Sequence, residues 1–399
     1  MSSSMSFRKL AIVLAVGSFL TGVNVFGLNP FLATIAADLD STVGVIGQAT
    51  TVSLVVAAIT ALILGPISDH WGFRNMLIVG AVVMALSNIG TALAFNAWIV
   101  IVARVPAGIA AGVLSALAIG TLDAERSKAG QDERRAAITW LESAGALAVI
   151  AGVPLLAIIG HFTHWRTVAV LIAICSAALA LVYARTVPNV KIGPAGVFSL
   201  SYVFDCYRSV VRNRGVVFLQ GANLLISMVG IGSVTYFGAR LMDATDVSLG
   251  VVGMQFFWLG VWFVAGNRLV VPLTRRFPPQ HVMTVLGGAI GGLLALFFSF
   301  ATSLFGFVLV SGIFAICVGI AIPLVTIMII EKAGTASGTV VMLRQSTSDT
   351  GVGLGAGVGG LLIGIGGYGH AGVAFAAAAI LCAVLVWLGA RAQPAPGTT

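Results

Sequence analysis

The chain has 399 residues, of which 59% are hydrophobic and only 9% charged, with a formal net charge of +8. A water-soluble chain carries roughly a quarter charged residues, so a soluble fold is excluded, and the basic excess reads as membrane-flanking loops rather than a nucleic-acid surface. Continuous apolar runs of about twenty residues suit bilayer-crossing helices and exclude a β-barrel, whose segments alternate in polarity over roughly ten residues.

Twelve such runs follow one another, at roughly 9–37, 44–68, 74–95, 97–122, 136–160, 165–186, 214–241, 247–272, 280–301, 304–331, 335–367 and 370–391. Arg8 and Lys9 precede the first and imitate a secretion signal, but the run continues to about Ala37 without a cleavage site. Span 1 contains Asn24 and Asn29 and no acid over Val23 to Phe26. Spans 2 and 3 are joined by Gly65-Pro66-Ile67-Ser68-Asp69-His70-Trp71-Gly72-Phe73-Arg74, a charged turn that must lie at a membrane surface. Span 4 carries Arg104, followed by Pro106 and Gly108. A guanidinium at bilayer depth costs at least about 2.5 kcal/mol unless it faces a cavity or a partner. The alternative is a snorkelling or purely structural arginine.

The seam from Asp123 to Arg135 is rich in both signs of charge and reads as a solvated surface segment. Span 5 then contains Glu142 and the series Gly145, Gly152 and Pro154. Small residues let helix backbones approach closely, and an internal proline bends a helix. Residues 187–213 hold Pro188, Lys191, Pro194, Asp205, Arg208 and Arg212, and divide the chain into two halves of six spans. The halves are internally similar: Gly65 to Arg74 aligns with Gly266 to Arg275, without the acid, and Ala151 to Gly160 resembles Ala356 to Gly366. In span 11, Asp349 follows Arg344 by five residues, at nearly the place Glu142 occupies in the first half. Carboxylates within spans are candidate proton carriers. The alternatives are an ion pair of Glu142 with Arg344 at the cytoplasmic mouth, or of Arg344 with Asp349, which is awkward at that helical spacing.

Charge sets the orientation. With the N-terminus inside, all but five of the 21 basic residues fall on cytoplasmic segments. Arg166 and Arg240 are opposite; Arg104, Arg268 and Arg344 fall within or at the edges of spans. Both termini and the central segment are therefore expected to be cytoplasmic. Cys175, Cys317 and Cys382 lie in apolar runs and Cys206 in the central segment, with no metal-ligand spacing. All five histidines fall in loops or their edges, and no phosphate-binding Gly-x-x-x-x-Gly-Lys pattern occurs. Neither a metal, a cofactor nor enzymatic chemistry is expected.

The hairpin resembles the loop between spans 2 and 3 of the major facilitator superfamily, Gly-x-Leu-Ala-Asp-Arg-x-Gly-Arg-Lys, at Gly65, Asp69, Gly72 and Arg74, with His70 and Phe73 replacing two basic positions. Arg104-x-x-x-Gly108 resembles its span-4 motif, whose arginine is associated with coupling in proton-driven members. The span-5 series, with Val153 between Gly152 and Pro154 and Trp165-Arg166 after it, resembles the antiporter motif of the arabinose-efflux-like branch of the twelve-span drug/proton antiporters. So does Asn29-Pro30-Phe31, although that branch often carries an acid earlier in span 1.

The resemblance implies an all-α membrane protein of twelve transmembrane helices in two pseudo-symmetric six-helix bundles. The expected bounds are 1–186 and 214–399, with 187–213 as a cytoplasmic linker. It implies a latch in which Asp69 caps a helix of the other half and Arg74 pairs with Asp123. It implies coupling at Arg104 and a cavity lined from spans 1, 4, 7 and 10; Asp349 and Glu142, the acids within spans, are the candidate proton carriers on residue type. Asn24, Phe26, Asn29, Gln220, Asn223, Ser227 and Tyr236 are the candidate lining residues, each with interhelical packing as its alternative. The expected protein is a monomer of a bacterial inner membrane, surrounded by lipid, that exports a small organic solute by proton antiport. Uptake or uniport of a metabolite, and a receptor-like protein that moves nothing, are the competing readings.

Overall fold

The computed structural model describes residues 7–124, 137, 140–141, 143–145, 147–188, 213–333 and 337–392. Within these it covers the backbone alone at 62–71, 116, 119–120, 123–124, 333 and 337–342. Every regular element among the described residues is helical, as a lipid-embedded backbone with no water to bond must be.

Span 1 is a helix over Phe7–Phe26, a 3-10 turn at Asn29–Phe31 and a short helix over Leu32–Asp38. Span 2 is Val43–Trp71, span 3 Phe73–Ala92 and span 4 Ala97–Ala124. Span 5 passes through a π-turn at Ala148–Gly152 into Val153–Phe162, and span 6 is Trp165–Thr186. Span 7 runs Arg214–Ser227, a π-turn Met228–Gly232, a 3-10 turn Ser233–Tyr236 and Phe237–Thr245. Spans 8, 9 and 10 are Leu249–Arg276, Pro279–Ala295 with a π-turn at Leu296–Phe300, and Leu304–Ala333.

One further helix, Ser337–Arg391, has 55 residues. At about 1.5 Å per residue it would be near 80 Å long, far beyond a hydrocarbon core of roughly 30 Å. The dihedrals resolve this. Gly366 and Gly367 are non-helical, and Gly367 takes φ 76°, which glycine adopts without strain. Spans 11 and 12 are thus two helices meeting at this break, as the apolar runs predict.

Glycine rows set the helix crossings. A Cβ at Gly108 or Gly112 of span 4 would lie 2.4 or 2.6 Å from the Ser53 or Ala57 carbonyl of span 2. In the second half, Cβ atoms at Gly266 of span 8 and Gly319 of span 10 would lie 2.3 Å from the carbonyls of Ile316 and Phe263. Gly351 and Gly355 of span 11 meet the Leu224 and Met228 carbonyls of span 7 in the same way, at 2.2 and 2.4 Å. These positions admit only glycine without moving a helix.

The chain forms two compact units. One comprises Met1–Ser41, Val52–Phe198 and Leu249–Phe257; the other comprises Thr42–Thr51, Ser199–Ser248 and Trp258–Thr399. The first turns of spans 2 and 8 therefore group with the opposite half of the sequence. Small residues explain it. In the second unit Gly44 contacts Gly360, and Gln48 donates to the Gly357 carbonyl at 3.1 Å. In the first, Gly253 contacts Ala157 and the Pro154 carbonyl.

Candidate functional site

Span 4 places Arg104 about two turns from its start, and its side chain is only 2% exposed. Gly108, one turn later, lets span 2 approach, and Ser53 donates back to the Arg104 carbonyl at 3.4 Å. The guanidinium donates to the Asn24 carbonyl at 2.8 Å, to Asn88 Oδ1 at 3.2 Å and to Thr91 Oγ1 at 3.4 Å. Asn88 Nδ2 donates to Asn24 Oδ1 at 2.7 Å and to the Met84 carbonyl at 2.8 Å. Spans 1, 3 and 4 thus converge on one buried cation held by neutral acceptors. No acidic side chain among the described residues forms an ion pair with it. Asn24, expected to line a cavity, is buried in this cluster. Asn88 and Thr91 were not singled out by sequence, although two polar residues three apart on one face of an apolar helix are a visible signal.

The hairpin between spans 2 and 3 turns at Gly72, with φ 80° and ψ 140°. Arg74, just beyond it, donates to the Ala184 carbonyl in the last turn of span 6, where the helix end presents negative charge. The expected partner was Asp123. The side chains of Asp69 and Asp123 lie outside the described residues, as does all of Glu142, and Gly65 is described only as part of the span-2 helix.

In span 5 the π-turn Ala148–Gly152 runs directly into Pro154. Proline offers no N–H to the residue four before it and crowds its carbonyl, and the wider turn absorbs both effects. A Cβ at Gly152 would meet Val23 at 2.6 Å and Phe19 at 3.0 Å of span 1, whereas at Gly145 it would meet nothing within 4 Å among the described residues. Beside this stretch lies an apolar groove of about 310 Å³ between spans 1 and 5, lined by Ile12, Ala15, Val16, Phe19, Trp140, Ala144 and Leu147. Arg8 stands 5.8 Å over the Trp140 ring.

The second unit presents a polar seam between spans 7 and 11. Asn223 donates to the Arg344 carbonyl at 2.9 Å and to Thr347 Oγ1 at 2.8 Å; Gln220 Oε1 accepts from Thr347 at 2.9 Å; Ser227 and Ser348 pair at 2.9 Å. Tyr236 donates to the Ala356 carbonyl. Gln220, Asn223, Ser227 and Tyr236 are buried in this packing, the alternative the sequence left open for them. Asn29 is likewise buried, and Phe26 half-buried. In the same stretch of span 11, Gln345 Nε2 donates to Asp349 Oδ1 at 2.9 Å, while Arg344 donates to Gln345 Oε1 at 3.3 Å. Gln345 thus stands between the two charges, which form no direct ion pair among the described residues. The polar run Ser346-Thr347-Ser348-Asp349-Thr350, not singled out by sequence, is the visible signal for this seam.

Arg166 and Arg240, isolated by their charge pattern, tie the ends of several spans. Arg166 bonds Asp38 and donates to the Ala94 carbonyl at 3.0 Å, with Trp165 Nε1 also on Asp38 at 3.2 Å. Arg240 donates to the Phe298 and Ala301 carbonyls at 3.1 and 3.2 Å and pairs with Asp243 at 3.2 Å. Four histidines, His161, His164, His281 and His370, are exposed; the His70 side chain is outside the described residues.

A family model described as the Major Facilitator Superfamily matches residues 14–349. A probable sugar efflux transporter of Helicobacter pylori is 24% identical over 97% of both chains. The transcription regulatory protein OpdE of Pseudomonas aeruginosa is 27% identical, covering 97% of this chain and 94% of its own. The crystal structure of a mutant of the nucleoside transporter NupG superposes with a TM-score of 0.75 at 17% identity, over 95% of this chain and 99% of the other.

Proposed function

Because the chain belongs to the major facilitator superfamily, a family of multi-pass membrane transporters, we propose that it exports a small organic solute by proton antiport, alternating between inward-open and outward-open states. One observation carries the coupling half of this reading. Arg104 and Asp349 are ionisable side chains within spans, and neither forms an ion pair among the described residues. Such residues are expensive in a bilayer and mark ion or substrate pathways.

Export rests on the π-turn and Pro154 of span 5, and on the efflux function named for the Helicobacter pylori relative. The apolar groove with Phe19 and Trp140 suits an uncharged or amphipathic solute. The concentration of Lys and Arg on one set of seams supports cytoplasmic termini in a bacterial inner membrane. The partners are the solute, protons and lipid, and the working unit is a monomer. The two six-span halves, 1–186 and 214–399, are the rocking elements, joined by 187–213. The cytoplasmic latch is built from Gly65, Asp69, Gly72, Arg74 and Asp123.

Flux into inverted vesicles under an imposed pH gradient tests the reading. A candidate solute that accumulates when the lumen is acid, and not after the gradient is collapsed, establishes antiport. Accumulation only with the opposite gradient reverses the direction. The regulatory name of OpdE favours a second reading, a chain of this fold that senses a ligand without moving it. Ligand-dependent thermal stabilisation with no flux under either gradient would establish that one.

A further inference from the structure

We propose that the Arg104 cluster binds a small monovalent anion, for which chloride is the probe. Arg104, Asn24, Asn88 and Thr91 are each at most 2% exposed. The amide orientations within the cluster are determined by their partners. Asn88 Nδ2 donates to the Met84 carbonyl, and Asn88 Oδ1 accepts from the arginine. The Asn88 amide therefore presents its second hydrogen to Asn24 Oδ1, and Asn24 Nδ2 is turned away from Asn88.

Two donors then remain buried with no partner among the described residues: Asn24 Nδ2 and Arg104 Nε. They belong to residues already in contact, since an arginine terminal nitrogen bonds the Asn24 carbonyl at 2.8 Å. The cluster has a surplus of donors and a surplus of positive charge. Its three acceptors of the guanidinium are an amide carbonyl, a carboxamide oxygen and a hydroxyl, all neutral. Leaving buried donors unsatisfied is unfavourable, and leaving a buried ion uncompensated more so. A water would satisfy the donors but not the charge. A single compact anion satisfies both, and one negative charge is the number that neutralises one guanidinium.

Span 1 supplies the test. Asn24 is the position at which a carboxylate of the same shape would furnish the charge from within the chain. The inference deepens the reading of Arg104 given above, and its test reads stability rather than flux, so the two can fail separately.

Purified full-length protein is melted in matched sodium chloride and sodium gluconate. Chloride is expected to raise the midpoint saturably by about 3 °C. In Asn24→Asp the chloride increment is expected to vanish, with the gluconate midpoint no lower than that of the unsubstituted chain. Chloride-35 line broadening gives a second readout: the unsubstituted protein broadens the resonance and Asn24→Asp does not. A chain that melts identically in the two salts, or an Asn24→Asp protein that keeps the full chloride response, overturns the proposal. Should Asn24→Asp not fold, the salt comparison and line broadening on the unsubstituted chain decide alone.

Discussion

The crossing of span 2 on span 11 within the second unit offers a substitution whose cost can be worked from distances. A Cβ at Gly360 would lie 2.5 Å from the Gly44 carbonyl oxygen, 2.5 Å from the Tyr236 hydroxyl and 2.8 Å from Gln48 Nε2. Ordinary contact begins at 3.4 Å, so the two helices must part by nearly an ångström. Overpacking of this kind costs about 1–3 kcal/mol. Parting also stretches the bond from Gln48 to the Gly357 carbonyl, and the new methyl displaces the Tyr236 hydroxyl of span 7 from the Ala356 carbonyl, each bond worth roughly 0.6 kcal/mol inside a membrane. Gly360→Ala should therefore destabilise by about 2–4 kcal/mol and lower the midpoint of thermal unfolding in detergent by about 2–5 °C. Gly364 is the internal control. It lies one turn on in the same helix, and a Cβ there meets nothing within 4 Å, so Gly364→Ala should melt no lower than the unsubstituted chain and gains helix propensity. If Gly360→Ala and Gly364→Ala melt together, close approach does not hold this crossing.

Arg104→Ala should abolish gradient-driven accumulation, with Arg104→Lys keeping a part of it, because lysine retains the charge but not the planar fork; accumulation by a well-expressed Arg104→Ala protein would make the residue structural. Asp349→Asn should stop pH-driven flux while leaving downhill exchange of solute, and retained pH-driven accumulation would rule Asp349 out as the proton carrier. Asp69→Asn should reduce flux without loss of folding, and normal transport by that variant would remove the latch. Asp38→Asn, at a half-exposed pair, should cost at most about 1 kcal/mol, with the difference from the unsubstituted protein shrinking at high salt; a large, salt-independent loss of stability would show that Trp165 and Arg166 are held by more than charge.

The architecture was legible because lipid leaves a chain few choices. Apolar runs must be helices, a glycine with positive φ must sit where a tight hairpin reverses at Gly72, and a helix of 55 residues must break, which it does at Gly366 and Gly367. Glycine counts also foretold close crossings, although not which carbonyl each glycine would meet. The polar groups were harder to place. Asn24 reads as a cavity residue because span 1 lines the cavity in the family, yet its side chain turns to Asn88, and no pattern within span 1 records which neighbour it faces. Helical periodicity gives the face of a residue relative to its own helix; the rotation of that helix against the next is decided by the glycines of both. The swap of the first turns of spans 2 and 8 between units was illegible for the same reason.

The seam between spans 7 and 11 carries the wider consequence. Gln220, Asn223 and Ser227 recur on one face of span 7, the spacing expected of cavity-lining residues, and each bonds a side chain or carbonyl of span 11. Amides and hydroxyls turned toward a neighbouring helix are not available to a ligand without breaking those bonds. Beside the π-turn of span 5 lies an apolar groove with Phe19 and Trp140 in its wall. Under the export proposed above, a solute held there would be selected by shape and apolar area rather than by a fixed set of hydrogen bonds, and apolar walls discriminate poorly between similar molecules, by about 1–3 kcal/mol per methylene. Selection by area favours a class of compounds over a single one. Such a wall agrees with the proposed export of varied organic molecules better than with import of one sugar or nucleoside, whose hydroxyls demand paired donors and acceptors.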